Sequence, residues 1–97
     1  MNQLLREQIL TIVARVPKGR VTSYGRIAKM TDGASARMVG AALRSLPDGH
    51  GLPWQRVVDA SGRIADHPGA DRQRRLLRDE GVLLDSRGRV SVDYFWP

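Results

Sequence analysis

The 97 residues include no cysteine. A disulfide framework, a zinc–thiolate site and a thiol nucleophile are all excluded by that absence. Histidine is almost as scarce. His50 and His67 are the only two, and neither has a partner at metal-binding spacing, so no metal and no cofactor are expected. No apolar run approaches the roughly 20 residues that span a bilayer. Met1-Asn2-Gln3-Leu4-Leu5-Arg6-Glu7 lacks the basic-then-apolar build of a signal peptide. The expectation is a cytoplasmic monomer with no membrane partner, nucleoid-associated if bacterial. Acidic residues are the minority, 10 against 16 basic, which leaves a net charge of +6. A polyanionic partner follows naturally, because neutralising phosphates releases their counterions. Solubilisation of a small domain by surplus arginine explains the same charge. With 41% hydrophobic and 27% charged residues, residues 1–97 read as one globular domain.

Leu4, Leu5, Ile9, Ile12, Val13 and Val16 recur at helical spacing and predict a helix over residues 3–16, stopped by Pro17-Lys18-Gly19. Val21-Thr22 reads as a short extended piece. Ser23 is a good N-cap for a second helix to about Met30, and Ser35 for a third to about Leu46. Two short helices across the Thr31-Asp32-Gly33 turn suggest a helix-turn-helix. Residues 47–53 read as a loop. Arg56-Val57-Val58 reads as a strand, with a turn at Ala60-Ser61-Gly62 and a return at Arg63-Ile64. After a loop over 66–69, a basic helix is expected over about 70–80, with Leu76 and Leu77 inward and Gly81 ending it. Residues 82–84 and 90–92 read as a hairpin. The fold class is mainly α with a small β hairpin, a winged-helix-like helix-turn-helix.

The third helix has two unlike faces. Val39, Ala42, Leu43 and Leu46 follow i, i+3, i+4, i+7 and are expected to face the core. Gly33, Ala36, Arg37, Gly40, Ala41 and Arg44 form a nearly bald face carrying two arginines. Glycine inside a helix costs about 1 kcal/mol against alanine, so Gly40 needs a reason. Close packing on protein is one. A nucleic acid seated against the bald face, with Arg37 and Arg44 reaching out, is the reading preferred here.

Three segments resemble one family. Gly19-Arg20-Val21-Thr22-Ser23-Tyr24-Gly25 looks like the stretch that opens the helix-turn-helix of O6-alkylguanine-DNA alkyltransferases. Ala36-Arg37-Met38-Val39-Gly40-Ala41-Ala42-Leu43 is similar to their DNA-reading helix. Pro53-Trp54-Gln55-Arg56-Val57-Val58 stands where active enzymes have Pro-Cys-His-Arg-Val. The resemblance runs from residue 3 to about 84. It implies that Tyr24 presses on the phosphate 3′ to a target nucleotide and that Arg37 enters the base stack through the minor groove. The small Ala36, Gly40 and Ala41 then suit a narrow groove.

The departures from the family imply a different outcome. Trp54 stands in place of the reactive cysteine and Gln55 in place of the activating histidine, while Glu80 keeps the glutamate's position. Alkyl transfer is then unavailable, which is the pattern of alkyltransferase-like proteins. These bind O6-alkylguanine in double-stranded DNA and pass the site to nucleotide excision repair proteins. Leu46 falls where the family has a hinge asparagine, and Asp66-His67-Pro68-Gly69 replaces its glycine-rich pocket loop.

Each residue has a plainer reading as well. Trp54 is a core aromatic or lines the lesion pocket, and Tyr24 packs on the first helix or touches DNA. Arg37 is a solvated arginine or fills the stack, and Arg44 contacts phosphate more naturally than a base. Pro53 and Gln55 belong to the structural motif. Arg56 is read as a buried strut in a strand, and Glu80, without its histidine, as a structural hydrogen-bond acceptor. Arg72, Arg74, Arg75 and Arg78 form the wet face of a helix or face phosphates or a partner protein. His67 stays unassigned. Two other functions are weighed against lesion recognition. A winged-helix transcriptional regulator would want polar base-readers on the third helix, and a hydrolase using Glu80 and water would want a second acid–base group.

Overall fold

The Asn2 side chain accepts the Leu5 amide at 2.8 Å and caps α1 (Gln3–Arg15) in the computed structural model, which describes residues 1–97. Val16 leaves the helix with ψ 117°, as the residue before a proline is pressed to do. Thr22–Ser23 then forms β1. Ser23 accepts from Arg26 N and starts α2 (Tyr24–Lys29), and Ser35 accepts from Met38 N and starts α3 (Ala36–Arg44). Each cap satisfies an amide that the first helical turn would leave orphaned. α3 ends at the Ser45 cap rather than at Leu46, and Gly33 lies in the turn before the helix.

Trp54–Arg56 forms a 3-10 turn, so Arg56 precedes the strand instead of lying in it. β2 (Val57–Val58) pairs in parallel with β1 in the register Thr22↔Val57 and Ser23↔Val58. Side chains alternate across a strand, and these two valines serve two different cores. Val57 joins Ile9, Ile12, Val13, Ile27, Val39 and Ala42, while Val58 joins Val21, Ile64, Ala70, Leu77, Val82 and Val90. The other flank of β1 takes the C-terminal segment. Val21 bridges Phe95, Trp96 N donates to Val21 O at 2.7 Å, and the Arg26 guanidinium lies 4.9 Å from the Phe95 ring centre.

The basic helix is α4 (Ala70–Asp79). It ends as its Gly81 suggests: Val82 N donates to Leu77 O and Gly81 N to Arg78 O, both at 2.9 Å, with Gly81 at φ +87°. That leaves Glu80 at the cap. Leu77 is fully buried and Leu76 only half-buried.

The expected hairpin shrinks to one antiparallel bridge, Leu84↔Val90, and Val92–Tyr94 coils into a 3-10 turn. Arg63 does not return along 56–58 but bridges Arg89. Two turns of one design explain both outcomes. Asp59 Oδ1 accepts the amides of Ser61 and Arg63, at 2.9 and 2.8 Å. Asp85 Oδ1 accepts those of Arg87 and Arg89, at 2.8 and 3.0 Å. A carboxylate thus takes the donors that a longer ladder would need. Gly62 must be glycine: its φ is +82°, and a Cβ there would sit 2.1 Å from Val90 O.

Candidate nucleic-acid interface

An open cleft of about 1640 Å³ runs between α3 and the first turns of α4, with the 3-10 turn and the 65–69 loop in its wall. Ala36, Arg37, Gly40, Leu43 and Arg44 form the α3 side, and Tyr24 also lines it. Leu43 and Leu46 therefore face the cleft half-buried, while Val39 and Ala42 of the same expected apolar set are fully buried. Ala41 is half-buried and does not line the cleft.

Gly40 makes room for a side chain of its own helix. A Cβ at Gly40 would lie 3.2 Å from an Arg44 guanidinium nitrogen. Arg37 is exposed, and neither arginine has an acidic partner, since the two ion pairs join Arg56 to Glu80 and Arg74 to Asp71. The α3 edge of the cleft is thus positive and low in relief. Tyr24 opens α2, held there by the Ser23 cap. Burial pushes its hydroxyl pKa up; Arg44 pulls it down and Asp59 pushes it up further, for a net rise. The group is a protonated donor at neutral pH.

Trp54 is half-buried in the cleft wall, not in either core. His67 meets it edge-on, with ring centres 6.2 Å apart at 76°, and the Arg72 guanidinium lies 5.9 Å from the Trp54 ring centre. Gly69 passes close by, and a Cβ there would stand 3.0 Å from His67 Cε1 and 3.5 Å from Trp54 Cη2. The loop is fixed from below. Gly69 N donates to His67 Nδ1 at 3.0 Å, so Nε2 carries the proton and donates to Gln73 Oε1 at 3.0 Å. Gln73 Nε2 donates in turn to Gln55 O and Val57 O, at 3.1 and 2.9 Å. Every polar atom of this buried Gln73 side chain is satisfied.

Behind the turn, Glu80 ties three segments together. Its carboxylate accepts from Arg56 Nε at 2.9 Å, Arg56 NH2 at 3.2 Å, Gln55 Nε2 at 2.7 Å and Gly19 N at 3.1 Å. Arg56 NH1 donates to Val16 O at 2.8 Å, and Pro53 O closes the turn on Arg56 N. Burial would raise the Glu80 pKa, but the bonds from Arg56, Gln55 and Gly19 and the Arg56 charge outweigh it and hold it low. Glu80 is a hydrogen-bond acceptor here, and Arg56 is half-buried in the 3-10 turn, not buried in a strand as the sequence suggests.

Sequence reasoning missed Gln73, left His67 without a role, and did not connect Arg72 to Trp54. A signal for Gln73 exists: it is the one uncharged residue in Arg72-Gln73-Arg74-Arg75, and it lies one turn before the buried Leu77.

Residues 4–82 match the family model described as the DNA-binding domain of 6-O-methylguanine DNA methyltransferase. The chain is 41% identical over 93 residues to the DNA base-flipping protein of Escherichia coli, covering 93% of this chain and 72% of that one. It is 38% identical over 99 residues to alkyltransferase-like protein 1 of Schizosaccharomyces pombe, covering 92% and 91%. The crystal structure of S. pombe Atl1 with damaged DNA containing O6-carboxymethylguanine superposes with a TM-score of 0.85 at 29% identity, over 100% of this chain and 98% of that one.

Proposed function

The chain belongs to the family of the 6-O-methylguanine DNA methyltransferase DNA-binding domain, and from that membership we propose that it is a non-enzymatic sensor of alkylated DNA. It binds O6-alkylguanine in a duplex through the minor groove, with the nucleotide flipped into the cleft, and transfers nothing. The observation that carries this reading is Trp54 in the cleft wall of a chain with no cysteine. An indole has no thiolate to offer, and the Gln55 amide, held by Glu80, has no basic nitrogen.

The parts divide the work as follows. Arg37 fills the vacated stack and Tyr24 pushes the phosphate, while Ala36 and Gly40 let α3 approach a groove about 6 Å wide. Arg44 meets phosphate. Flipping costs a few kcal/mol and least for a badly paired base, which favours O6-alkylguanine over guanine. Trp54, His67 and the 66–69 loop receive the flipped base and its alkyl group. The protein acts as a monomer and hands the lesion to nucleotide excision repair. The relatives named for base flipping, and the related structure with damaged DNA, support this reading. A transcriptional regulator is disfavoured, because apart from Arg37 and Arg44 the cleft side of α3 offers Ala36, Gly40 and Leu43, with no Asn or Gln base-reader.

The test is a titration with two duplexes that differ only by guanine or O6-methylguanine. Tighter binding of the methylated duplex is expected; equal affinity would refute the proposal.

A further inference from the structure

Arg63 and Arg89 face each other in an isolated antiparallel bridge. Directly opposed residues of such a pair project to one face, with Cβ atoms about 4.5–5.5 Å apart, and like charges in that position repel. The protein does not answer this repulsion with an ion pair, since neither arginine takes part in one. Neither guanidinium makes a hydrogen bond or an ion pair within the protein. The turns use only the backbone of these arginines: Arg63 N donates to Asp59 Oδ1 and Arg63 O accepts from Asp59 N at 3.0 Å, while Arg89 N donates to Asp85 Oδ1 and Arg89 O accepts from Asp85 N at 2.9 Å. Two separate loops of one design therefore each deliver an arginine to one spot. The Asp59 and Asp85 carboxylates bond the turn amides through Oδ1, and neither comes within ion-pair distance of the arginine that ends its turn.

The spot connects to the proposed DNA-contacting tyrosine through Asp59. The parallel register Ser23↔Val58 sets Tyr24 and Asp59 next to each other as the chains leave β1 and β2. Asp59 then begins the turn that Arg63 ends, and its charge is felt at the Tyr24 hydroxyl. None of residues 59–64 lines the cleft. A cation pair here is outside the lesion pocket and one turn away from the strand pair that leads into Tyr24. We infer that Arg63 and Arg89 together bind a DNA phosphodiester, a second grip on the backbone that serves every duplex alike. The inference rests on the DNA-binding function proposed above. A phosphate between the two guanidinium groups supplies the ion-pair partner that neither arginine has in the folded protein, and it accepts from both.

The experiment measures affinity across a salt series for wild type, Arg63→Gln, Arg89→Gln, the double variant and Arg87→Gln, on duplexes with guanine and with O6-methylguanine. Arg87 is the control: it sits in the same turn and carries the same charge, but is outside the bridge. Glutamine keeps most of the side-chain stem, and unchanged thermal melting verifies the fold. The slope of log K against log salt should become shallower by about 1 for each bridge arginine removed. Both duplexes should lose affinity equally, leaving the lesion-to-normal ratio untouched, and lysine at either position should restore the slope. Wild-type slopes in the double variant, or an equal loss in Arg87→Gln, would overturn the paired site. A wild type that binds both duplexes equally would refute lesion sensing while the salt comparison still decides the clamp. No duplex binding at all would refute both.

Discussion

Arg56 grips Glu80 through two parallel bonds, Nε to Oε1 at 2.9 Å and NH2 to Oε2 at 3.2 Å. Such forked pairs are strong and directional. In the alkyltransferase pattern that the sequence resembles, this glutamate orients a histidine, and here it fastens the Trp54 turn to the end of α4 and to the Pro17–Gly19 corner instead. Because the Glu80 pKa is held below its usual 4.5, the carboxylate stabilises the fold fully above that pH. The contribution is lost as pH falls through the lower folded value. Glu80→Gln should destabilise at neutral pH by about 1–3 kcal/mol. Its melting temperature should also depend less on pH below about 4.5 than that of wild type. Parallel pH dependence in the two proteins would disprove the linkage.

Chemistry should be absent. After incubation with O6-methylguanine DNA the methyl group is expected to stay on the base, as read by mass spectrometry of protein and digested DNA. Methylated protein or regenerated guanine would contradict the reading. By covering the lesion, the protein should also slow a genuine alkyltransferase on the same duplex.

Arg37→Ala and Tyr24→Ala should each weaken lesion binding by about 1–3 kcal/mol, the usual size of a lost DNA contact. Arg37 is exposed and serves no contact within the protein, so its variant should melt like wild type. Folded variants with wild-type affinity would remove these residues from the interface.

Trp54→Ala should lower affinity for the alkylated duplex more than for the unmodified one, because the ring is proposed to contact the alkyl group. Larger alkyl groups gain about 0.8 kcal/mol per buried methylene until the 66–69 loop is reached. A lesion-to-normal ratio unaffected by the substitution would leave Trp54 a purely structural role.

Gln73→Leu should free the 66–69 loop, since it strips the acceptor from His67 and both donors from the backbone of residues 55 and 57. Faster amide exchange at Gly69 and Ala70 is expected, with a stability loss of about 1–3 kcal/mol. Unchanged exchange there would show that the loop is held by other means.

What the sequence made legible was local. Ser23 and Ser35 announce helix starts because a cap bonds amides only a few residues away. Gly81 announces a helix end for the same reason, and the Val39–Ala42 core face follows from helical period alone. The motif around Trp54 was readable as a motif, but its surroundings were not. His67 and Gln73 meet through side-chain bonds that no periodicity encodes. The parallel pairing of residues 22–23 with 57–58 depends on the whole intervening path. The hairpin over 82–84 and 90–92 shortens to the Leu84↔Val90 bridge because the Asp85 carboxylate takes the turn's amides, a competition that alternation of apolar residues does not report.

The pairing of Val21 with Phe95 has a consequence for how the molecule comes into being. A contact between residues 21 and 95 closes a long loop, a slow kind of contact to form. The helix-turn-helix is made of local contacts, yet the edge beside Val21 stays bare until the segment around Phe95 docks. The edge beside Val21 is therefore covered late in folding, after the local contacts of the helices have formed.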